Sequence, residues 1–581
     1  MAELRAWPRM LPRPAAPKWV DVLMLCAVAA VGYGVTHAAT RWGQPIASGV
    51  QVDLSPWRLP VYAGLSTLRM AVAYVISLVF AVAYARAAAH NRMAERFLLP
   101  LLDILQSVPI LSFMPGVVLG LAALFHGRTI GLELAAVVLI FTSQAWNLAF
   151  GFHQALLTIP RELGEASTVY RLGAWRRFLR LELPSGVIPL VANSMMSWAG
   201  GWFFLMASEQ FTLGNDSYRL QGLGSYLAQA AETGNLGAMA LGLLTLVVVI
   251  VLLDQLLWRP LLAWSDRFKL EQAGSGDAPQ SAVLDALRGS DLVEWISRRV
   301  VQPVGRWLDE RLSPPRVPLG TLPSMTEDPP PSRAWAVVRM VVLAALLGIV
   351  LWGALSALHV VVNLSPGEWG TVAIAAGATL VRTLVALALA VAWTVPVGVW
   401  IGLNPKWSRR AQPIVQVIAS VPATALFPIL LLALLALPGG LNIAAVALML
   451  LGTQWYVLFN VIAGATAIPS DLKEAAITYR VSGWRRWKTL ILPAIFPYLV
   501  TGMITATGGA WNASIVSEYV TFAGQKRSTV GLGALIAQAA DQGHFAVLLA
   551  GTLVMAGIVI LLNRLVWRRL YALAESRYRL D

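Results

Sequence analysis

Charge is what this sequence has least of. Of its 581 residues only 13% are Asp, Glu, Lys or Arg, against about 25% in an average soluble domain. Cysteine is nearly absent. Cys26 stands alone, which excludes an internal disulfide and any cysteine-based metal site. None of the six lysines follows a glycine, so the Gly-Lys-Ser/Thr loop that cradles nucleotide phosphates is missing. His37, His126 and His544 show no ligand spacing, and no metal site is expected. No cluster of His, Asp and Glu has catalytic spacing, so an enzyme is not expected either. What fills the chain is apolar: 57% hydrophobic residues and a mean hydropathy of +0.66. A soluble protein could not bury that much, and the composition reads as an integral membrane protein.

Apolar runs recur at 19–39, 61–85, 98–125, 131–157, 186–212 and 237–262. They recur again at 335–360, 371–402, 413–437, 441–466, 494–522 and 543–566. Each is long enough for a helix across the hydrocarbon, which needs about 20 residues. The runs are continuous rather than alternating, which argues against a β-barrel. The expectation is an all-α polytopic protein of about 12 transmembrane helices. No signal-peptide cleavage pattern follows the first run, so it reads as a retained span.

Twelve spans put both termini on one side. Counted that way, one set of loops and tails holds 35 Lys and Arg and the opposite set holds 6. Positive residues collect on the cytoplasmic side of a membrane, so both termini are expected in the cytoplasm of a bacterial inner membrane. The net charge of +14 is then explained by topology, and nucleic-acid binding is not expected.

The chain repeats itself. Pro160, Glu165, Tyr170, Trp175, Arg176, Arg177 and Pro184 return as Pro469, Glu474, Tyr479, Trp484, Arg485, Arg486 and Pro493, at a constant offset of 309. The offset continues through Trp202 and Trp511, Glu209 and Glu518, and Gly222 and Gly531. Upstream it is 313, as in Arg69 and Arg382 or Ser107-Val108-Pro109 and Ser420-Val421-Pro422. Six spans per copy give both copies the same orientation, hence two parallel six-helix repeats with a pathway between them. The expected units are 1–262, a linker 263–334, and 335–581. The linker opens and closes on Gly, Ser and Pro. Between these, residues 283–312 carry Leu284, Leu287, Leu292, Trp295, Ile296, Val300, Val304, Trp307 and Leu308 among Arg and Asp. That pattern reads as an amphipathic tether along the membrane surface or against the ends of the spans.

The best-preserved stretch is a basic loop, not a span. Pro160 and Pro469 are placed to start a short helix, because proline suits a helix's first turn. Gly173 and Gly483 are expected to help end it. A polar loop kept twice suggests a partner surface made twice.

Glu165-Ala166-Ser167 through Leu183-Pro184, and Glu474-Ala475-Ala476 through Leu492-Pro493, resemble the EAA loop of ABC-transporter permeases. The Leu-Pro stands nineteen residues after the Glu-Ala start in both copies. Ser167 departs from the third alanine, and Arg171 and Arg480 stand where the family often has glycine. The resemblance covers roughly 61–262 and 371–566. It is most similar to the nitrate, sulfonate, taurine and bicarbonate group, whose permeases act as dimers of separate chains; here both units appear fused. It implies that Glu165, Ala166, Ser167, Arg171, Gly173, Glu474, Ala475, Ala476, Arg480 and Gly483 dock on two separate cytoplasmic ATPase subunits, which use the ATP and Mg. It also implies a periplasmic or lipid-anchored binding protein.

Charge inside a span is costly and marks function by default. Arg69 and Arg382 lie at matching depths, and Glu209 and Glu518 toward the outer ends of the fifth runs. Two readings stand: the arginines attract an anionic solute, or each pairs with a glutamate to hold the bundle. Trp202, Trp511, Asn512 and Ser514 lie near the glutamates and are candidates to line the pathway. The function expected is the permease of an ATP-driven importer for a small anionic solute such as nitrate, a sulfonate or bicarbonate. The alternative is a proton-coupled secondary transporter.

Overall fold

The computed structural model describes residues 51–170, 172–213, 216–268, 281–312, 333–522 and 525–577, with scattered positions between 21 and 46. Most of the first apolar run, with Cys26 and His37, and also Arg171 therefore lie outside the described residues.

The first repeat begins with α1 (Leu59–His90), followed by α2 (Arg92–Ser107), α3 (Ile110–Leu124) and α4 (Thr129–Leu157). The basic loop holds α5 (Arg161–Val169) and α6 (Ala174–Arg177). After a π-turn comes α7 (Leu183–Ser208), then a hairpin of β1 (Gln210–Leu213) and β2 (Asp216–Arg219). Next come α8 (Leu223–Glu232), α9 (Leu236–Leu253) and α10 (Arg259–Ser265). The linker supplies α11 (Ala282–Arg288), α12 (Asp291–Ile296) and α13 (Gln302–Leu312), and α14 (Arg333–Val362) leads into the second repeat.

The second repeat runs through α15 (Pro366–Leu403), α16 (Pro405–Ser420), α17 (Ala423–Leu434), α18 (Gly440–Thr466), α19 (Ser470–Thr478), α20 (Gly483–Arg486) and α21 (Leu492–Ser517). The hairpin of β3 (Tyr519–Phe522) and β4 (Gln525–Ser528) follows, then α22 (Leu532–Gln542), α23 (Phe545–Leu562) and α24 (Arg568–Arg577). Among the described residues the strands form two antiparallel two-stranded hairpins, and the chain is an all-α polytopic membrane protein.

The third runs are not single straight helices. Among the described residues, seven helices are long and apolar enough to cross a membrane, and nine if each of two bent pairs counts once. The runs 98–125 and 413–437 each break at a proline, with bends of 96° and 79°. Val108 and Val421 take extended dihedrals before Pro109 and Pro422, which become N-caps of α3 and α17. Proline clashes with a helical residue before it and offers no N–H to the preceding turn. The expected fifth runs 186–212 and 494–522 also overshoot: the helices stop at Ser208 and Ser517, and the chain enters the hairpins.

The breaks shape the interface between the repeats. Each repeat packs α1, α4 and α7, or α15, α18 and α21, side by side. The second member of each broken pair crosses over. Ala423, Ala425, Phe427 and Leu431 of α17 sit in the core of the first repeat, and Leu111 of α3 sits in the core of the second. A reciprocal exchange is what two matching units around a two-fold give.

Candidate functional site

Three features stand out: a pair of loops on the basic face, a cavity between the repeats, and a pair of ion locks beside the hairpins.

The loops are near copies. Pro160 and Pro469 are the N-caps of α5 and α19. Each proline fixes its own φ and needs no N–H partner. The third motif positions, Ser167 and Ala476, face inward and are buried. Only a small side chain serves there; Ser167 satisfies its hydroxyl by donating to the Gly164 carbonyl at 2.6 Å. Ala166 and Ala475 are half-buried, while Glu165 and Glu474 are exposed. Around the glutamates lie Leu163, Val169 and Tyr170 in one copy and Leu472, Ile477 and Tyr479 in the other, all exposed. Each loop thus presents a carboxylate within an apolar and aromatic rim.

Gly173 and Gly483 do not end these helices. Gly173 caps the start of α6, and Gly483 begins α20. The ending is a Schellman turn. The Val481 N–H donates to the Ala476 carbonyl at 2.8 Å, and the Arg480 N–H to that of Ile477 at 3.0 Å. In the first copy the Leu172 N–H reaches the Ser167 carbonyl at 3.0 Å. Such a turn puts its C′ residue in the left-handed region, and Arg480 has φ +52°. A non-glycine residue there costs about 1–2 kcal/mol. Arg480→Gly should therefore slow hydrogen–deuterium exchange of the 476–481 amides about fivefold, since about 1 kcal/mol of local stability is returned.

The first loop has a brace that the second lacks. Glu182, almost fully buried, is held by Arg86 at 3.0 Å, His90 at 3.0 Å and Arg177 at 3.3 Å. By the repeat offsets, the positions of Arg86, His90 and Glu182 become Val399, Leu403 and Ile491, which pack together in an apolar cluster.

Each ion lock joins a fifth-run helix to the helix beyond its hairpin. Glu209 and Glu518 cap α7 and α21 at their C-terminal ends. Arg69 Nη1 donates to Glu209 Oε1 at 2.6 Å, and Arg382 Nη1 to Glu518 Oε1 at 2.8 Å. The same carboxylates accept amides from the first turn of the next helix, Gly224 N–H at 2.6 Å and Gly533 N–H at 2.9 Å. A helix N-terminus is a natural seat for negative charge. Gly222 and Gly531 make the approach possible, because a Cβ at either would collide with the carboxylate. Of the two readings of the arginines, pairing with glutamate is the arrangement present.

The locks differ in charge. Arg69 also meets Glu133, with Nη2 to Oε1 at 2.9 Å; the matching residue in the second repeat is Asn442, which accepts from Arg382 at 2.7 Å. Glu133 is not among the residues expected from the sequence, although an acid inside the run 131–157 was the signal available for it.

Between the repeats, toward the basic face, lies a cavity of about 250 Å³. Corresponding positions of both repeats line it: Trp146 and Trp455, Asn147 and Tyr456, Met196 and Thr505, Phe203 and Asn512. Thr142, Ser143, Gln106, Gln416 and Thr507 add hydroxyls and amides, and no charged side chain lines it. Of the pathway residues expected from the sequence, Asn512 alone lies on this wall. Trp202 and Trp511 are fully buried in the apolar cores, and buried Ser514 donates to the Trp511 carbonyl. Arg69, Arg382, Glu209 and Glu518 are locked away near the hairpins. A second cavity of about 260 Å³ lies on the hairpin side, lined by Met114, Gln210, Arg219, Glu232, Phe427 and Tyr519. Between the two, the Leu111 N–H donates to Asn512 Oδ1 at 3.3 Å, linking the repeats. Metal-binding clusters of His, Cys, Asp and Glu are absent among the described residues.

Comparison with known proteins matches two segments, 68–257 and 394–580, to the family described as the binding-protein-dependent transport system inner membrane component. The chain is similar to the bicarbonate transport system permease protein CmpB of Synechococcus elongatus, 27% identical over 198 residues, or 34% of this chain and 66% of CmpB. It is similar to the nitrate import permease protein NrtB of Leptolyngbya laminosa, 28% identical over 32% of this chain and 64% of NrtB. With the taurine transport system permease protein TauC of Escherichia coli it shares 28% identity, over 32% of this chain and 64% of TauC. The chain thus spans just under two thirds of the length of each of these relatives.

Proposed function

Because the chain belongs to the family of binding-protein-dependent transport system inner membrane components, and matches it twice, we propose that it carries both permease units of an ATP-driven importer in one polypeptide. Two separate ATPase subunits dock on α5 and α19 in the cytoplasm, and hydrolyse ATP with Mg. The observation that carries this reading is the repeated loop: two exposed glutamates, each in the same apolar rim, presented by helices with matching caps. Glu165, Ala166 and Ser167, with Arg171, form one docking face, and Glu474, Ala475 and Ala476 the other, with Arg480 at its turn. Gly173 and Gly483 set the start of the helix that carries each turn back to its bundle. ATP-driven closure of the ATPase pair would draw the loops together and rock the repeats about the interface made by α3 and α17.

The solute passes through the cavity between the repeats. Relatives named for bicarbonate, nitrate and taurine support a small solute that carries an oxyanion group, and the family description supports its delivery by a binding protein. The lining fits that cargo in a particular way. It holds hydroxyl and amide donors and no carboxylate that would repel an oxyanion. It also holds no Arg or Lys, so the solute is held by neutral hydrogen bonds and can leave again. The arginines act structurally in this reading, by fixing Glu209 and Glu518.

Reconstitution into proteoliposomes with the ATPase and binding protein tests the proposal. ATP inside should drive uptake of labelled nitrate, taurine or bicarbonate, and a protonophore should leave that uptake intact. Uptake that needs a proton gradient and ignores ATP would instead favour the secondary transporter. The cavity has its own test at Gly508, which lines it and has no heavy atom within 4 Å of the place a Cβ would take. Gly508→Trp should abolish uptake while ATPase binding persists; normal uptake by this variant would place the pathway elsewhere.

A further inference from the structure

The linker helices remain unexplained by the transport reading. Residues 291–312 form one continuous helix, with a π-turn over Ser297–Val301. At 1.5 Å per residue it is roughly 33 Å long. Both its ends are tied to other parts of the chain. At the start, Ser290 donates to Asp21, and the Leu292 N–H reaches Asp21 Oδ1 at 3.4 Å. Near its end, Asp309 Oδ1 accepts from Arg176 Nε at 3.3 Å, on the segment that leads from the first loop into α7. The Arg176 contact keeps the C-terminal part of this helix beside the segment that leads into the α7 span, at the basic face.

Its surface is divided. Trp295, Val300, Val301, Val304 and Trp307 are between 48% and 59% exposed. The same helix carries Arg298, Arg299, Arg306 and Arg311, and Arg311 lies 5.7 Å from the Trp307 ring centre. Apolar and tryptophan side chains with arginines around them, on a helix lying at the ends of spans, match an interfacial helix. Arginine complements anionic headgroups, and tryptophan favours the headgroup level.

We propose that this helix binds the anionic lipid surface of the membrane on the basic face, and that through Asp309 and Arg176 it holds the first loop against that surface. The second loop has no such attachment among the described residues. Lipid composition would then act on one loop and not on the other, whichever partner the loops serve.

Spin labels test this on the full-length chain with Cys26→Ser. One nitroxide is placed through Val304→Cys and a second, in a separate sample, through Glu310→Cys. In vesicles of phosphatidylcholine with 25% phosphatidylglycerol, the label at 304 should be several-fold more accessible to oxygen than to a water-soluble nickel chelate, and the label at 310 the reverse. Omitting phosphatidylglycerol, or adding Arg298→Gln, Arg299→Gln and Arg306→Gln, should raise nickel accessibility at 304 at least threefold. Equal nickel accessibility at both positions would overturn the proposal. So would burial at 304 that is unchanged without anionic lipid, or that develops only when ATPase subunits are added.

Discussion

Arg69→Met should be the most damaging single substitution in the membrane core. It keeps the apolar stem and removes the guanidinium, so Glu133 and Glu209 are left facing each other without a cation. Breaking a buried pair from one side costs about 3–5 kcal/mol, a large part of the roughly 5–15 kcal/mol that holds a typical domain together. The variant should lose most of its monodisperse yield in detergent and unfold well below the parent in a thermal scan. Arg382→Met should do less harm, because Glu518 then stands alone beside neutral Asn442 and Thr529. Adding Glu133→Gln and Glu209→Gln to Arg69→Met should recover part of the loss, since no uncompensated charge remains. An Arg69→Met protein as stable as the parent would show that the lock does not hold the bundle.

The second large effect is at the loops. Glu165→Arg with Glu474→Arg reverses the charge at the centre of each exposed rim without touching a buried group. Truncating a charge paired in an interface costs about 2–5 kcal/mol, and about 1.4 kcal/mol is a factor of ten. Each change should weaken ATPase binding more than tenfold, and the pair should abolish co-purification. The thermal stability of the chain itself should hardly move, which separates lost docking from lost folding. Retention of the ATPase by the double variant would remove these glutamates from the docking face.

Much of this organisation was legible in the residues. The offsets of 309 and 313 located both loops, the glutamates and arginines of both locks and the glycines beside the carboxylates, because a duplicated chain marks its own constrained positions. Pairing of Arg69 with Glu209 was one of two readings open to the sequence, and coordinates were needed to choose it. The breaks at Pro109 and Pro422 were hidden for a physical reason: membrane helices tolerate proline, so an apolar run carries no mark of where it bends. The hairpins were hidden because Phe211, Leu213, Val520 and Phe522 extend the apolar pattern of the preceding helices. The brace at Glu182 has no image in the second repeat, so comparing the copies could not reveal it. The cavity wall comes from helices distant in sequence, and only their packing brings Asn147, Tyr456 and Asn512 together.

The most direct measurement tracks the separation of the loops. Thr168 and Ile477 occupy the same position in each and are both exposed, so nitroxides at Thr168→Cys and Ile477→Cys in a Cys26→Ser chain report the gap by pulsed electron resonance. With ATPase subunits bound, trapping them with ATP should shift the distance distribution to shorter values, and hydrolysis should restore it. A distribution that stays fixed while the bound ATPases turn over would contradict the account.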